Sequence, residues 1–432
     1  MLITKKLKFN ISGIINFLIC LLPLGLILGN SITNFLVILI GLLGIINYKT
    51  KIFVIENKTF QYLMYFFFFY LILITFINNW NFVSQDVIKK TNLIKSIFFL
   101  RFLVLFLVIN KLSEFNELKI KNILVSFAFF SFAVGLDIII QYTFGKNLLG
   151  YPLLYGVRAN SFFGDELIAG GFLQRFSLFF IFFIPIITAN KKYVNLTIIS
   201  LFVIFTTAIL VTLNRMPLIM FLFSIVLYFL LEKKIKEILY VFVIIFLIMV
   251  TFINFSSNKR IQINSKKFVK EITFFVSHAP NLFIHNKNNT DQEIYSDYLI
   301  LFNSGVQLWK ENKLFGQGIK SFRVNCKQAK YEMCGSHPHN YLIELMVDVG
   351  IVGSVLWYLI IILSVINFFK SYIKENDLNL KLAFSPFFLL IFTEFFPFRS
   401  SGSFFSTSNS AFIFLILAIF LNLNKIKKLL KL

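Results

Sequence analysis

The sequence predicts an all-α, polytopic integral membrane protein with about twelve transmembrane helices and one long external loop, and three observations carry that prediction. Of the 432 residues, 58% are hydrophobic, and the mean hydropathy of +0.80 is far above that of a soluble domain. The apolar residues come in runs close to the ~20 that a helix needs to cross a bilayer. The Lys residues, finally, gather in short clusters between alternate runs, so a net charge of +22 reads as a topology signal and no nucleic-acid partner is expected.

Taken in order, the expected spans are 11–28, 32–47, 60–78, 93–109, 122–144, 167–189, 194–213, 217–231, 238–254, 341–369, 383–398 and 411–423. The organisation is therefore nine helices over 1–254, an external (periplasmic) loop over 255–340, and three more helices over 341–432. Basic clusters at Lys5/Lys6/Lys8, Lys49/Lys51/Lys58, Lys111/Lys119/Lys121, Lys191/Lys192, Lys233/Lys234/Lys236, Lys370/Lys374/Lys381 and Lys425/Lys427/Lys428 fall on every alternate connection and on both termini. Those are assigned to the cytoplasm. Lys89, Lys90 and Lys95 run against the rule on one external connection. The basic start precedes an apolar run with no small-residue cleavage site, so a retained first helix is expected. There is no internal repeat and no second soluble domain.

The opposite side receives a different set of residues. All four histidines, His278, His285, His337 and His339, lie in the long connection, as do Cys326 and Cys334. A disulfide is the natural expectation for this cysteine pair on an oxidising face, with free thiols as the alternative; their spacing matches no structural zinc pattern. Residues 297–312 place Leu299, Phe302, Val306 and Trp309 at helical spacing, which predicts an amphipathic helix against the membrane or the bundle. A glycine turn, Phe315-Gly-Gln-Gly-Ile-Lys-Ser-Phe322, follows, whereas 286–292 is polar throughout and reads as a loop.

The loop ends in the most informative stretch: Cys334-Gly-Ser-His-Pro-His-Asn-Tyr, then an apolar run through Trp357. Its signature is His339-Asn340, nine residues, Gly350, two residues, Gly353. A histidine is thereby set at the water end of a membrane helix, with Pro338 suited to the first helical turn. Glu344 and Asp348 continue the Asn340 face at four-residue spacing, which carries carboxylates into the membrane where they need protein or a wet cavity. The plain alternative is a capped helix end whose carboxylates are satisfied by neighbours.

Arginines accumulate on the same side: Arg158, Arg175, Arg215 and Arg399. Guanidinium offers a planar, permanently charged fork suited to phosphate oxygens, although each could instead snorkel to lipid headgroups. Arg158 and Arg215 stand outside basic clusters, which favours the first reading for them. Arg101, inside the fourth span, is expected to pair with a carboxylate, Glu394 being the candidate. Together these residues suggest an external cavity with arginines for an anion and a histidine able to take a proton near neutral pH. There is no nucleotide cradle and no external Asp-x-Asp pair, so transfer from an already activated lipid-borne donor is expected, with no metal and no cofactor.

The His339-Asn340-x9-Gly350-x2-Gly353 motif, with Trp309, the 315–322 turn, the long loop before it and the arginines, resembles the O-antigen ligase and O-antigen polymerase superfamily of bacterial membrane glycosyltransferases. The resemblance implies transfer of a polyprenyl-pyrophosphate-linked glycan, without a metal, at the outer face of the inner membrane. It implies His339 as general base and Arg158 and Arg215 as ligands of the donor pyrophosphate, with Asn340, Glu344, Arg399 and His337 in possible supporting roles. The acceptor would be lipid A core for a ligase or another lipid-linked glycan for a polymerase; Gly135 to Gly145 and the Arg158 loop resemble polymerases at least as much. A flippase or exporter of lipid-linked sugars, or an envelope scaffold, is the alternative from another class.

Overall fold

In the computed structural model, the described residues are 10–79, 87–187, 193–237, 239–241, 243–245, 247, 297–331 and 333–425. Among them the chain is helical, without strands; its only pleated contacts are two isolated bridges, Lys146 with Pro152 and Leu154 with Arg158. The helices are α1 (Ile11–Cys20), α2 (Leu22–Leu28), α3 (Asn30–Tyr48), α4 (Lys58–Asn78), α5 (Val87–Phe98), α6 (Leu100–Glu114), α7 (Ile120–Phe144), α8 (Ala169–Ile187), α9 (Val194–Val211) and α10 (Arg215–Leu231). Then come α11 (Asp297–Glu311), α12 (Phe322–Ala329), α13 (Tyr341–Tyr372), α14 (Leu378–Glu394) and α15 (Thr407–Leu421).

Seven helices among the described residues are long and apolar enough to cross a membrane, or eight if α1 and α2, bent by 44° at Leu21-Leu22-Pro23, count as one span. The polytopic architecture is thus as expected. The number twelve is not confirmed, because α10, α14 and α15 are shorter, at 17, 17 and 15 residues, and the expected span 238–254 lies largely outside the described residues. So do 286–292, His278 and His285.

The bundle core is packed through interlocking aromatic rings. Trp357 of α13 is fully buried, with Phe67 of α4, Phe404 and Phe414 of α15 at ring-centroid distances of 5.0, 4.9 and 5.5 Å. Off-parallel rings at such distances contribute beyond the area that they bury. On the opposite flank, Gly41 and Gly44 of α3 turn bare backbone toward Val104 and Val108 of α6, the small-residue contact that lets membrane helices approach closely.

The connections sort into two ends. At one, Lys425 pairs with Glu56 at 2.6 Å, Tyr48 donates to Glu117 at 2.8 Å, and the Lys119 amide donates to Asn16 at 2.7 Å. Tyr372 donates to Glu232 at 2.6 Å and Lys234 to Asn195 at 2.8 Å. At the other, Ser408 donates to Asn30 at 2.7 Å, Asn78 to the Gly316 carbonyl at 3.3 Å, and Asn340 to the Pro397 carbonyl at 2.6 Å. The basic connections therefore contact one another, and the histidine-bearing ones do the same.

The amphipathic helix forms as α11, but its buried face is rotated from the expected one. Leu301, Ser304 and Leu308 are buried, while Leu299, Phe302, Val306 and Trp309 are only half-buried. Gly305 is the reason: it lies against Pro338 and Ile343, where any side chain would collide, and so it draws its own face onto α13.

Candidate active site

Two histidines stand at the start of α13, and the backbone fixes them. Asn340, in extended conformation, is the N-cap: its side-chain oxygen accepts from the Ile343 amide at 3.0 Å. Pro338 therefore precedes the helix, a correction to its expected place in the first turn. The nitrogen of the same Asn340 side chain donates to the carbonyls of Pro397 at 2.6 Å and Arg399 at 3.0 Å, so one residue caps the helix and clamps the 397–401 loop. His339 adopts φ +55°, a left-handed conformation uncommon outside glycine, and its carbonyl accepts from the Ser401 amide at 2.8 Å.

The rings of His337 and His339 lie 4.0 Å apart. His337 Nδ1 is 2.8 Å from Ser336 Oγ, and its Nε2 is buried with no hydrogen-bond partner among the described residues. Burial pushes His337 down to about 4, with His339 and Lys320 adding to the effect. Burial also lowers His339, while a hydrogen bond to the Ser401 backbone works the other way. Burial thus favours the neutral form of both imidazoles, the form that accepts a proton.

Further along α13 the two carboxylates brace the flanking loops. Glu344 accepts from Ser403 Oγ and from the Phe404 amide, each at 2.6 Å. Asp348 accepts from the Lys320 amide at 2.7 Å and from the Ser321 amide and hydroxyl at 3.1 and 2.7 Å. Each satisfies its carboxylate with fixed donors, as a buried acid requires.

The motif glycine breaks the helix that the sequence suggests is continuous. Gly350 has φ +65° and ψ −171°, and the backbone groups freed by the break are taken up by the 313–318 turn. Ile351 donates to Lys313 at 2.9 Å and Val352 to Leu314 at 3.2 Å, while Gln317 and Gly318 donate to Val347 and Asp348 at 2.9 and 2.8 Å. A side chain on Gly316 would meet the Gly350 backbone, and one on Gly350 would meet Leu314. The spacing of the motif is therefore the distance along α13 from the histidine to the point where the Phe315-Gly-Gln-Gly turn plugs into the helix.

Behind Tyr341 lies a buried ion cluster. Arg175 of α8 forms a bidentate pair with Glu394 at 2.9 and 2.8 Å and reaches Tyr341 Oη at 3.2 Å. Arg399 contacts the same carboxylate at 2.6 Å, the Thr393 carbonyl at 3.2 Å and Gln174 at 3.2 Å. The expected pairing of Arg101 with Glu394 is thus overturned. Arg101 bonds the Phe98 carbonyl at 2.6 Å and Thr407 at 3.3 Å and lies over the Phe102 ring, while Glu394 is taken by two other arginines. Arg175 carries the signal that was available: a charge deep in an apolar run, in register with Gln174.

Arg158 sits in a loop built by α7. Asp137 accepts from the Leu148 amide at 2.8 Å and Ser161 Oγ at 2.6 Å, and Gln141 accepts from the Ser161 amide at 2.7 Å. Arg215 opens α10 next to this loop: the Ala159 amide donates to the Val211 carbonyl at 3.3 Å, and Asn214 donates to the Leu167 carbonyl at 3.2 Å. Both arginines are half-buried. The link to the histidines runs in series: the Arg158 and Arg215 loops pack on the start of α8, α8 delivers Arg175 to Tyr341, and Tyr341 follows His339-Asn340. Cys326 of α12 and Cys334, just before the histidines, form a disulfide with Cα atoms 5.7 Å apart; Cys20 is free.

No curated protein matches the chain. A family model does: residues 200–358 match the one described as O-Antigen ligase, a segment that includes Arg215, the 315–322 turn and the whole His339 to Gly353 motif but not Arg158. Over that segment the chain is similar to the O-antigen ligase family.

Proposed function

We propose that the protein transfers a glycan from a polyprenyl-pyrophosphate donor to a hydroxyl acceptor at the periplasmic face of the bacterial inner membrane, as an O-antigen ligase, with both termini cytoplasmic. The observation that carries this reading is His339, held in a left-handed backbone by Ser401 inside the segment that matches the ligase family. In the proposed step His339 takes the proton of the acceptor hydroxyl, whose oxygen bonds to the anomeric carbon. The bond from that carbon to the pyrophosphate breaks, and Arg158 and Arg215 hold the charge on the departing lipid pyrophosphate. Neither a metal nor a cofactor takes part. Lipid A core is the acceptor in this reading. The same chemistry with a second lipid-linked glycan as acceptor is a polymerase.

The test is a deletion strain carrying either wild-type protein or His339→Ala. The variant should insert normally, lose long-chain surface polysaccharide and accumulate donor on the outer leaflet. Wild-type polysaccharide from the variant would refute the reading, and donor trapped on the inner leaflet would indicate an exporter. Long lipid-linked chains in the deletion mark a ligase, whereas single repeats on the core mark a polymerase.

A further inference from the structure

Against the 317–321 segment lies a cleft of about 410 Å³ that the proposed reaction does not use. It opens between the end of α4, α5, the end of α11 and α12. In a chain of net charge +22, no Lys or Arg lines it among the described residues, and its only titratable group, Glu311, is engaged by Tyr331 Oη at 2.5 Å. Almost everything else on its walls is a carboxamide or hydroxyl; Val324 and Ala329 are the apolar exceptions. Such a lining suits neither a pyrophosphate, which needs cations, nor a polyprenyl chain, which needs apolar walls.

The carboxamides are also oriented by the fold. Asn78 donates to the carbonyls of Ile74 and Gly316 at 2.9 and 3.3 Å, and Asn79 and Asn312 donate to those of Thr75 and Gly316 at 2.6 and 2.8 Å, so all three side chains are held in place, the last two with one N–H still to offer. Asn92 of α5 goes further. It is 4% exposed, lines the cleft, and its side-chain oxygen is buried without a hydrogen-bond partner among the described residues. A buried acceptor left in that state is destabilising unless a donor reaches it. A wall of fixed amide donors and acceptors is matched by a ligand dense in hydroxyls, which both donate and accept.

We propose that this cleft is a glycan subsite, which takes uncharged, hydroxyl-rich sugar residues at a distance from the reacting bond. The link to the reaction centre runs through α13: Gln317 and Ser321 line the cleft, Gln317 donates to the Val347 carbonyl at 2.9 Å and Ser321 to Asp348 at 3.1 and 2.7 Å, on the helix that Asn340 caps. Only the identity of the glycan, donor or acceptor, rests on the transferase reading.

The test uses the full-length protein in nanodiscs and two probes, each released by mild acid from host cells: the oligosaccharide of the polyprenyl-linked glycan, and the core oligosaccharide of lipid A. Calorimetry should show saturable binding of at least one of them, and the one that binds identifies the subsite as donor or acceptor. Ala329→Trp, at an exposed position on the rim, should weaken that binding about tenfold, and Gln328→Ala, also exposed, by a smaller factor. Binding should survive in His339→Ala. Failure of both probes to bind, or binding unchanged in both rim variants, overturns the subsite. Cleft-dependent binding in a protein whose His339→Ala variant still makes surface polysaccharide would leave the subsite standing and remove the transferase reading.

Discussion

The two ends of the bundle carry charge in opposite ways. At the lysine end the charges are numerous and, apart from the buried pair Lys111–Glu114, exposed: Lys425 is 33% exposed and its partner Glu56 63%. Around the start of α13, by contrast, three carboxylates are buried, and each is matched by specific donors: Glu394 by Arg175 and Arg399, Glu344 by Ser403 and Phe404, Asp348 by Lys320 and Ser321. A charge that only orients a chain in a membrane works through number and sidedness. A charge that positions a reactive group works through geometry, and the fold supplies partners for it one by one.

That contrast orders the expected effects of substitution. Glu394→Ala would strand two buried guanidiniums and should destabilise the protein by about 3–5 kcal/mol, read as a large drop in the thermal midpoint in detergent. A midpoint unchanged there would mean that the cluster does not hold the 397–401 loop. Gly350→Ala forces a side chain into a left-handed site against Leu314 and should cost about 1–3 kcal/mol, with weaker docking of the 313–318 turn detectable as faster amide exchange in 313–322. Lys425→Ala, at the other end, should shift stability by no more than about 1 kcal/mol; a shift as large as that of Glu394→Ala would erase the distinction between the ends.

A pH series sharpens the same comparison. His337 is pushed down to about 4 in the fold, against about 6.5 for an unfolded chain. Between these values the unfolded chain binds the proton and the folded one does not, so stability contributed by the neutral ring is present above about 6.5 and is lost as the pH falls toward 4. Repeating the series with His337→Gln should remove that component; an identical pH dependence in the variant would assign it elsewhere.

Much of this was legible in the sequence. Apolar runs and lysine clusters predicted the helices and their two-sided sorting, because both depend on composition over long windows. The His339-Asn340 motif marked the candidate site, and its likeness to the ligase family is shown by the match over 200–358. What escaped depends on contacts between distant segments. Nothing local distinguishes Gly350 as a break in α13, because the donors that accommodate it come from the 313–318 turn. Glu394 could not be assigned to Arg175 over Arg101 without knowing that α8 packs against α14. Asn340 as cap, with Pro338 left outside the helix, depends on the 397–401 loop, some 60 residues away.

The most direct test of the central claim, that His339 is the base of a metal-free transfer, is an assay with purified wild-type and His339→Ala protein, lipid-linked donor and lipid A core, run with excess EDTA over a range of pH. The account predicts product from the wild-type protein in EDTA and a rate at least about a hundredfold lower for the variant. It also predicts an acid limb for the wild-type protein below the ordinary histidine value of about 6.5, because burial lowers His339. Comparable rates for the two proteins, or wild-type transfer abolished by EDTA, would contradict it.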